Sequence, residues 1–216
     1  MTTFFSEVVL PAFATFFVII DPLGLAPVFV ALTLRRSVGE RVRIGTRAVL
    51  LAAGVLLLFA FLGEVILKLF GITLPAFRIA GGILLFMIAA EMLLEKRAQR
   101  RRQAATHAEP PHEYAPVDDS WVFPLGIPLI AGPGAITSVI LLMGQHKGDA
   151  LAQAAVIATL MVVLAITWLL FRIVSHAERF LSETAVSAIS RLLGIILAAL
   201  AVQFVLAGLK GAGLLS

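Results

Sequence analysis

An aspartate interrupts one of the most apolar stretches of this chain. Residues 11–34 read PAFATFFVIIDPLGLAPVFVALTL, and Asp21 stands between the apolar runs FFVII and LAPVFVALTL. A stretch of this length and composition is typical of a membrane span, and Asp21 would then lie near the middle of the bilayer. A carboxylate at that depth costs about 2.5–3.5 kcal/mol on insertion scales, so such a residue is first interpreted as a functional site.

The residues around Asp21 predict that the helix is interrupted there. Asp is a preferred N-cap and Pro a preferred first helical residue, so Asp21-Pro22 marks the end of one half-helix and the start of a second. Gly24 and Pro27 predict that the backbone stays irregular beyond this point. The alternative is a proline kink in which Asp21 only caps its own helix.

A second segment has the same character. Residues 121–144 contain three prolines and four glycines, with Gly-Pro-Gly at residues 132–134. A helix that begins inside the membrane leaves backbone N–H groups unbonded, and these groups must be buried in protein or line a cavity. With Gly132 as the cap, the donors stay free to bind a carboxylate, and Thr137 and Ser138 can add hydroxyl contacts.

The two breaks together predict a site for a zwitterion. Asp21 supplies negative charge, which suits a substrate ammonium group, a sodium ion or a transferable proton. The half-helix that begins after Gly132 supplies the equivalent of about half a positive charge. An amino acid matches this pair of environments. The alternative is that the free amides and Asp21 satisfy each other and have only a structural role.

The composition is that of an integral membrane protein. Of the 216 residues, 60% are hydrophobic and 14% are charged, whereas soluble domains have about 45–50% and about 25%. The net charge of +4 is interpreted as Lys and Arg retained on the cytoplasmic side, not as a nucleic-acid surface. With no cysteine, and with four histidines that have no second ligand at metal-binding spacing, we expect no disulfide, metal or cofactor apart from a coupling sodium ion or proton.

The hydropathy pattern predicts six membrane-spanning helices, at about residues 5–34, 44–70, 74–94, 121–144, 150–175 and 185–209. The polar connector 96–120 separates a first three-span unit, residues 1–95, from a second, residues 121–216. Basic residues concentrate in the loops after the first, third and fifth spans. The positive-inside rule places these loops in the cytoplasm and both termini outside.

The two units resemble each other when they are aligned. Because three spans reverse the direction of the chain, the units would be inverted repeats, a plan of secondary transporters that places the binding site on broken helices at the repeat interface. Two acid–base pairs, Glu64 with Arg78 and Glu178 with Arg191, are predicted as structural ion pairs at opposite faces. The matched positions are Pro11 and Pro124, Thr46 and Thr159, Arg78 and Arg191, Gly81 and Gly194, and Asp21-Pro22 with Gly132-Pro133.

Two motifs resemble the MarC family of six-span bacterial inner-membrane proteins. They are DPLGLAPVF at residues 21–29 and PLGIPLIAGPGAITS at residues 124–138, and the third and sixth spans are similar to the same family. The resemblance covers essentially the whole chain and brings no catalytic role with it. The motif residues of the family fall on Asp21, Pro22, Gly24, Pro27, Gly132, Pro133, Gly134 and Thr137.

The resemblance implies transport, since one branch of the family is described as neutral amino acid transporters driven by sodium or protons. A more distant similarity connects the chain to LysE-type amino acid exporters. We therefore expect a secondary transporter of glycine-like or alanine-like substrates in the bacterial plasma membrane, with the lipid bilayer and a small molecule as partners. The alternatives are a drug or metabolite exporter with a wide aromatic-lined cavity, and a non-transporting protein with a structural or partner-binding role. An enzyme is not expected, because the sequence has no Ser/His/Asp set, paired aspartates or His-Glu-x-x-His motif.

Overall fold

The computed structural model describes residues 4–33, 36–94, 125–176 and 183–215, and the regular elements in these ranges are all helical. The predicted connector 96–120 lies outside the described residues. Two short π-helical segments, Phe5–Val9 and Leu125–Ile130, precede α1 and α5. The seven α-helices are α1 (Leu10–Ile20), α2 (Pro22–Thr33), α3 (Val38–Leu69), α4 (Leu74–Leu93), α5 (Pro133–Gln145), α6 (Ala150–His176) and α7 (Glu183–Gly211).

Five helical stretches are long and apolar enough to cross a membrane. They are Phe5–Thr33, Val38–Leu69, Leu74–Leu93, Ala150–His176 and Ala185–Gly211. The fourth predicted span differs, because it is divided into the segment Leu125–Ile130 and helix α5, and α5 alone is a shorter apolar helix. The described chain is therefore an all-helical bundle with five membrane-length stretches where six were predicted.

Helices α4 and α7 pack along each other at very short range. A Cβ atom at Gly82 would lie 2.7 Å from the carbonyl oxygen of Ala201, and one at Gly208 would lie 2.9 Å from that of Pro75. Backbones can approach this closely only where side chains are absent, which is the usual way membrane helices associate. Glycine therefore positions α7, the helix that carries a partner of Asp21 described below.

Helices α3 and α6 form a second, antiparallel pair. Near the start of α3, the Thr46 hydroxyl accepts a hydrogen bond from the indole N–H of Trp168, which lies near the end of α6. The half-helices pack crosswise on this pair: α1 and α2 contact α6, whereas Leu125–Ile130 and α5 contact α3. Both interrupted segments are therefore enclosed between the α3–α6 pair and the α4–α7 pair.

The prediction of an irregular backbone around Gly24 and Pro27 is wrong. Helix α2 is regular from Pro22 to Thr33, with Pro27 inside it. Its start is fixed by a side-chain cap from Asp21, and it buries large side chains such as Leu25 and Phe29. Tertiary packing of this kind overrides the weak helix propensity of single Gly and Pro residues.

Candidate functional site

Asp21 forms the junction between α1 and α2. Its backbone is left-handed, with φ 53° and ψ 66°, a conformation that Asp tolerates better than most residues. Its N–H donates to the carbonyl oxygen of Phe17 (2.9 Å), which ends α1, and its carbonyl oxygen accepts from the N–H of Leu25 (3.0 Å), which begins α2. The backbone of a single residue therefore separates the two half-helices.

The Asp21 residue is only 2% exposed and lies well inside the span. Helix α2 has 12 residues, which corresponds to about 18 Å at the usual rise, and α1 with its π-helical segment is longer. Oδ1 accepts a hydrogen bond from the N–H of Gly24 (3.1 Å) and a longer one from the hydroxyl of Ser190 on α7 (3.5 Å). The carboxylate is thus held where α1, α2 and α7 meet.

The second break has a different construction. Gly132 is extended, with φ −80° and ψ 172°, and precedes α5 without any side-chain cap. A Cβ atom there would lie 2.5 Å from the carbonyl oxygen of Pro128, so the turn requires glycine. The carbonyl oxygen of Gly132 accepts from the N–H of Ile136 (3.0 Å). The N–H groups of Gly134 and Ala135, in the first turn, have no acceptor within the helix.

The structure brings the two breaks to the same level of the bundle. Gly134, in the first turn of α5, packs against α1: a Cβ atom there would lie 3.4 Å from Cγ2 of Ile19, two residues before Asp21. Gly24 and Ser190 both place donors on Asp21 Oδ1. A buried carboxylate and a helix start without a side-chain cap therefore lie near each other.

The two predicted hydroxyls are placed differently. The Ser138 hydroxyl donates to the carbonyl oxygen of Gly134 (2.8 Å), so its proton is used within α5. Thr137 is 7% exposed, and its methyl group faces Gly81 of α4, where a Cβ atom would lie 2.5 Å away. Thr137 is thus the better placed of the two to donate a hydrogen bond near the break.

The first of the two predicted ion pairs is not formed, and the second cannot be followed in the described residues. Glu64 Oε2 pairs with Lys147 Nζ at 2.8 Å instead of with Arg78, because the loop after α5 lies over the end of α3. Glu178 lies outside the described residues, and Arg191 is exposed on α7. Among the residues that the structure describes, no three His, Cys, Asp or Glu side chains form a metal-binding cluster.

Two residues of these sites were missed from the sequence. Ser190 is one serine among several at the start of the sixth predicted span, and Lys147 lies in a short polar loop. Each meets its partner across a long sequence separation, so no local pattern could have identified it.

Known proteins match almost the whole chain. A family model described as MarC family integral membrane protein matches residues 6–213. The UPF0056 membrane protein YvbG of Bacillus subtilis is 37% identical over 199 residues, 92% of each chain. The UPF0056 membrane protein YhcE of Escherichia coli is 35% identical over 199 residues, 92% of this chain and 90% of the relative. A UPF0056 membrane protein of Methanocaldococcus jannaschii is 36% identical over 203 residues, 93% of this chain and 95% of the relative. No solved structure shows significant similarity.

Proposed function

The chain belongs to the MarC family of integral membrane proteins, and we propose that it is a secondary transporter of small neutral amino acids, such as glycine or alanine, coupled to sodium ions or protons. The single observation that carries this proposal is Asp21, a carboxylate that is 2% exposed at a helix break inside an apolar span. The bilayer makes such a group costly, and membrane proteins keep it mainly where an ion or a substrate needs it.

Asp21 binds the ammonium group of the substrate or the coupling cation. A carboxylate can accept several hydrogen bonds at once, so Asp21 can bind a ligand while its bond from Gly24 holds it in place. It lies between the C-terminal end of α1 and the N-terminal end of α2, whose dipoles have opposite effects there, so its own charge favours a cation.

The carboxylate of the substrate binds the N-terminus of α5. The uncapped amides of Gly134 and Ala135 are suited to an anion, and the dipole of α5 adds favourable charge. The Thr137 hydroxyl is close enough along the helix to add a donor. Gly134 packs directly on Ile19, so little space lies between the two breaks, which favours glycine or alanine over a bulky drug. The protein binds and releases its substrate unchanged, and no residue is assigned a catalytic role.

Two inverted three-helix units with six crossings are the architecture that we propose for this transporter. The crosswise packing of the half-helices supports it, since each unit places its interrupted segment on the long central helix of the other. Matching caps support it as well. Arg41, the fourth residue of α3, donates from Nε to the carbonyl oxygen of Thr33 at the end of α2 (3.0 Å). Gln153, the fourth residue of α6, donates from Nε2 to the carbonyl oxygen of Met143 in the last turn of α5 (3.2 Å).

The proposed orientation in the bacterial plasma membrane places the start of α3 in the cytoplasm and both termini outside. Arg36, Arg41 and Arg43 lie at this end of the bundle. Trp168 lies at the same end, and the Arg172 guanidinium stands over its ring at 5.5 Å. A tryptophan accompanied by arginines is typical of a cytoplasmic membrane boundary.

Uptake of alanine into proteoliposomes tests the proposal. Asp21→Asn keeps a side chain that can cap α2 but removes the charge, so gradient-driven uptake should be abolished while thermal unfolding stays close to that of the wild type. Asp149→Asn is the matched control, because Asp149 caps α6 by accepting from the N–H of Ala152 (3.0 Å) at an exposed loop. Uptake by Asp21→Asn at the wild-type rate, under sodium and proton gradients alike, would overturn the assignment.

A further inference from the structure

A cavity opens at the end of the bundle where α3 ends and α6 begins. Its volume is about 320 Å³, within the range of pockets that hold small ligands. Asp21 and Gly132 are not among the residues that line it. The walls are formed mainly by Ala60, Phe61 and Glu64 of α3 and by Gln153, Ala154 and Ile157 of α6.

One wall of the cavity carries a carboxylate that is paired with a lysine. Glu64 lines it, and Glu64 Oε2 accepts from Lys147 Nζ at 2.8 Å, with side-chain exposures of 29% for Glu64 and 56% for Lys147. The hydrogen bond with the Glu64 carboxylate raises the pKa of Lys147, so this side chain stays protonated. Ion pairs this exposed contribute little to stability, so a ligand that offers both charges can open the pair at small cost.

The remaining walls supply one polar group and an apolar surface. The Gln153 amide nitrogen donates to the carbonyl oxygen of Met143 (3.2 Å), and the amide oxygen of the same side chain is an acceptor. Ala60, Ala154 and Ile157 present only hydrocarbon. The cavity therefore has a carboxylate that can accept from an ammonium group and room for a short apolar side chain, and the Lys147 cation lies beside it, bonded to Glu64.

We propose that this cavity binds a small zwitterion, with its ammonium group on Glu64 and its anionic oxygens on Lys147. The ligand replaces the direct Glu64–Lys147 bond with two charge-assisted hydrogen bonds. Two sources share this chemistry: a free α-amino acid, and the headgroup of phosphatidylethanolamine. The inference does not depend on Asp21 or on transport, because none of its residues belongs to the proposed transport site.

Calorimetric titration of the purified full-length protein tests this site. Alanine and dihexanoyl-phosphatidylethanolamine are the two probes, and both are titrated into the Asp21→Asn variant so that the proposed transport site does not contribute. We expect at least one probe to bind, and Glu64→Gln to weaken that binding roughly tenfold through the loss of one charge-assisted hydrogen bond. Binding of alanine alone identifies a free amino acid as the ligand, and binding of the phospholipid alone identifies the lipid headgroup.

Two matched controls separate the site from general effects of charge and size. Glu40→Gln disrupts the Arg36–Glu40 pair (3.9 Å), in which the exposure of the Glu40 carboxylate (28%) is close to that of Glu64 (29%), and it should leave binding unchanged. Ala154→Leu fills the cavity without touching the ion pair and should abolish binding, whereas Ala158→Leu, one turn further along the exposed side of α6, should not.

Absence of binding by both probes, or binding that is unchanged in both Glu64→Gln and Ala154→Leu, would overturn the proposal. Alanine uptake by the wild type is measured separately and decides the transport proposal alone.

Discussion

The two helix breaks solve the same geometric problem with opposite chemistry. At Asp21 the chain turns in the left-handed region, and the residue caps the next helix with its own carboxylate. At Gly132 the chain is extended, carries no side chain and leaves the next helix uncapped. The first break therefore adds negative charge and uses an amide of α2, whereas the second adds no charge and keeps the amides of α5 available.

This difference assigns the two breaks to different ligand groups. Asp21 stands between the negative end of the 11-residue α1 and the positive end of the 12-residue α2, so the two helix dipoles largely cancel there and the charge of the carboxylate itself favours a cation. The segment before Gly132 is short and has non-helical dihedral angles at Ile127, so its dipole is weak, and the positive end of α5 dominates. An asymmetric site of this kind suits a zwitterion better than two equivalent breaks would.

The largest effect on stability is expected at the second break. Gly132→Ala places a Cβ atom 2.5 Å from the backbone oxygen of Pro128, which cannot move as a side chain could. We expect a loss of about 3 kcal/mol in the free energy of unfolding, measured by denaturant titration in detergent. Gly54→Ala is the control, since nothing lies within 4 Å of its Cβ position, and it should stabilise α3 by up to about 1 kcal/mol. Equal effects of the two variants would show that the close approach at Gly132 is unimportant.

A series at Asp21 should separate the backbone from the charge. Asn tolerates the left-handed conformation and can cap α2, so Asp21→Asn should unfold within about 0.5 kcal/mol of the wild type. Asp21→Gly keeps the conformation but loses the cap, at about 1 kcal/mol. Asp21→Ala loses both, at about 2 kcal/mol. Thermal unfolding of the three variants in one detergent measures the order, and an alanine variant as stable as the asparagine variant would contradict it.

Structural features that depend on a few neighbouring residues could be predicted from the sequence, whereas contacts that depend on how the helices pack could not. Asp21-Pro22 indicates a helix start because the capping carboxylate and its N–H donor are three residues apart, and the structure has that bond. Gly24 and Pro27 predict an irregular backbone that is not found, because the packing of α2 in the core outweighs their local preferences.

Contacts between distant parts of the chain could not be predicted in this way. The partner of Glu64 is Lys147 and not Arg78, since the path of the α5–α6 loop determines which cation lies next to the carboxylate. The contact of Ser190 with Asp21 likewise requires the position of α7, which glycines on α4 and α7 determine.

The smallest effect is expected at Ser190. Its hydroxyl reaches Asp21 Oδ1 at 3.5 Å, too long for a strong hydrogen bond, so Ser190→Ala should change the free energy of unfolding by less than about 1 kcal/mol. The hydroxyl nevertheless faces the carboxylate at the first break, so its loss should change the sodium or proton concentration that gives half-maximal uptake, with the maximal rate retained. Ser175→Ala is the matched control, because that buried serine donates only to the carbonyl oxygen of Phe171 in its own helix (2.7 Å). If both variants shift the half-maximal concentration alike, α7 has no part in the cation site and the site belongs to α1 and α2 alone.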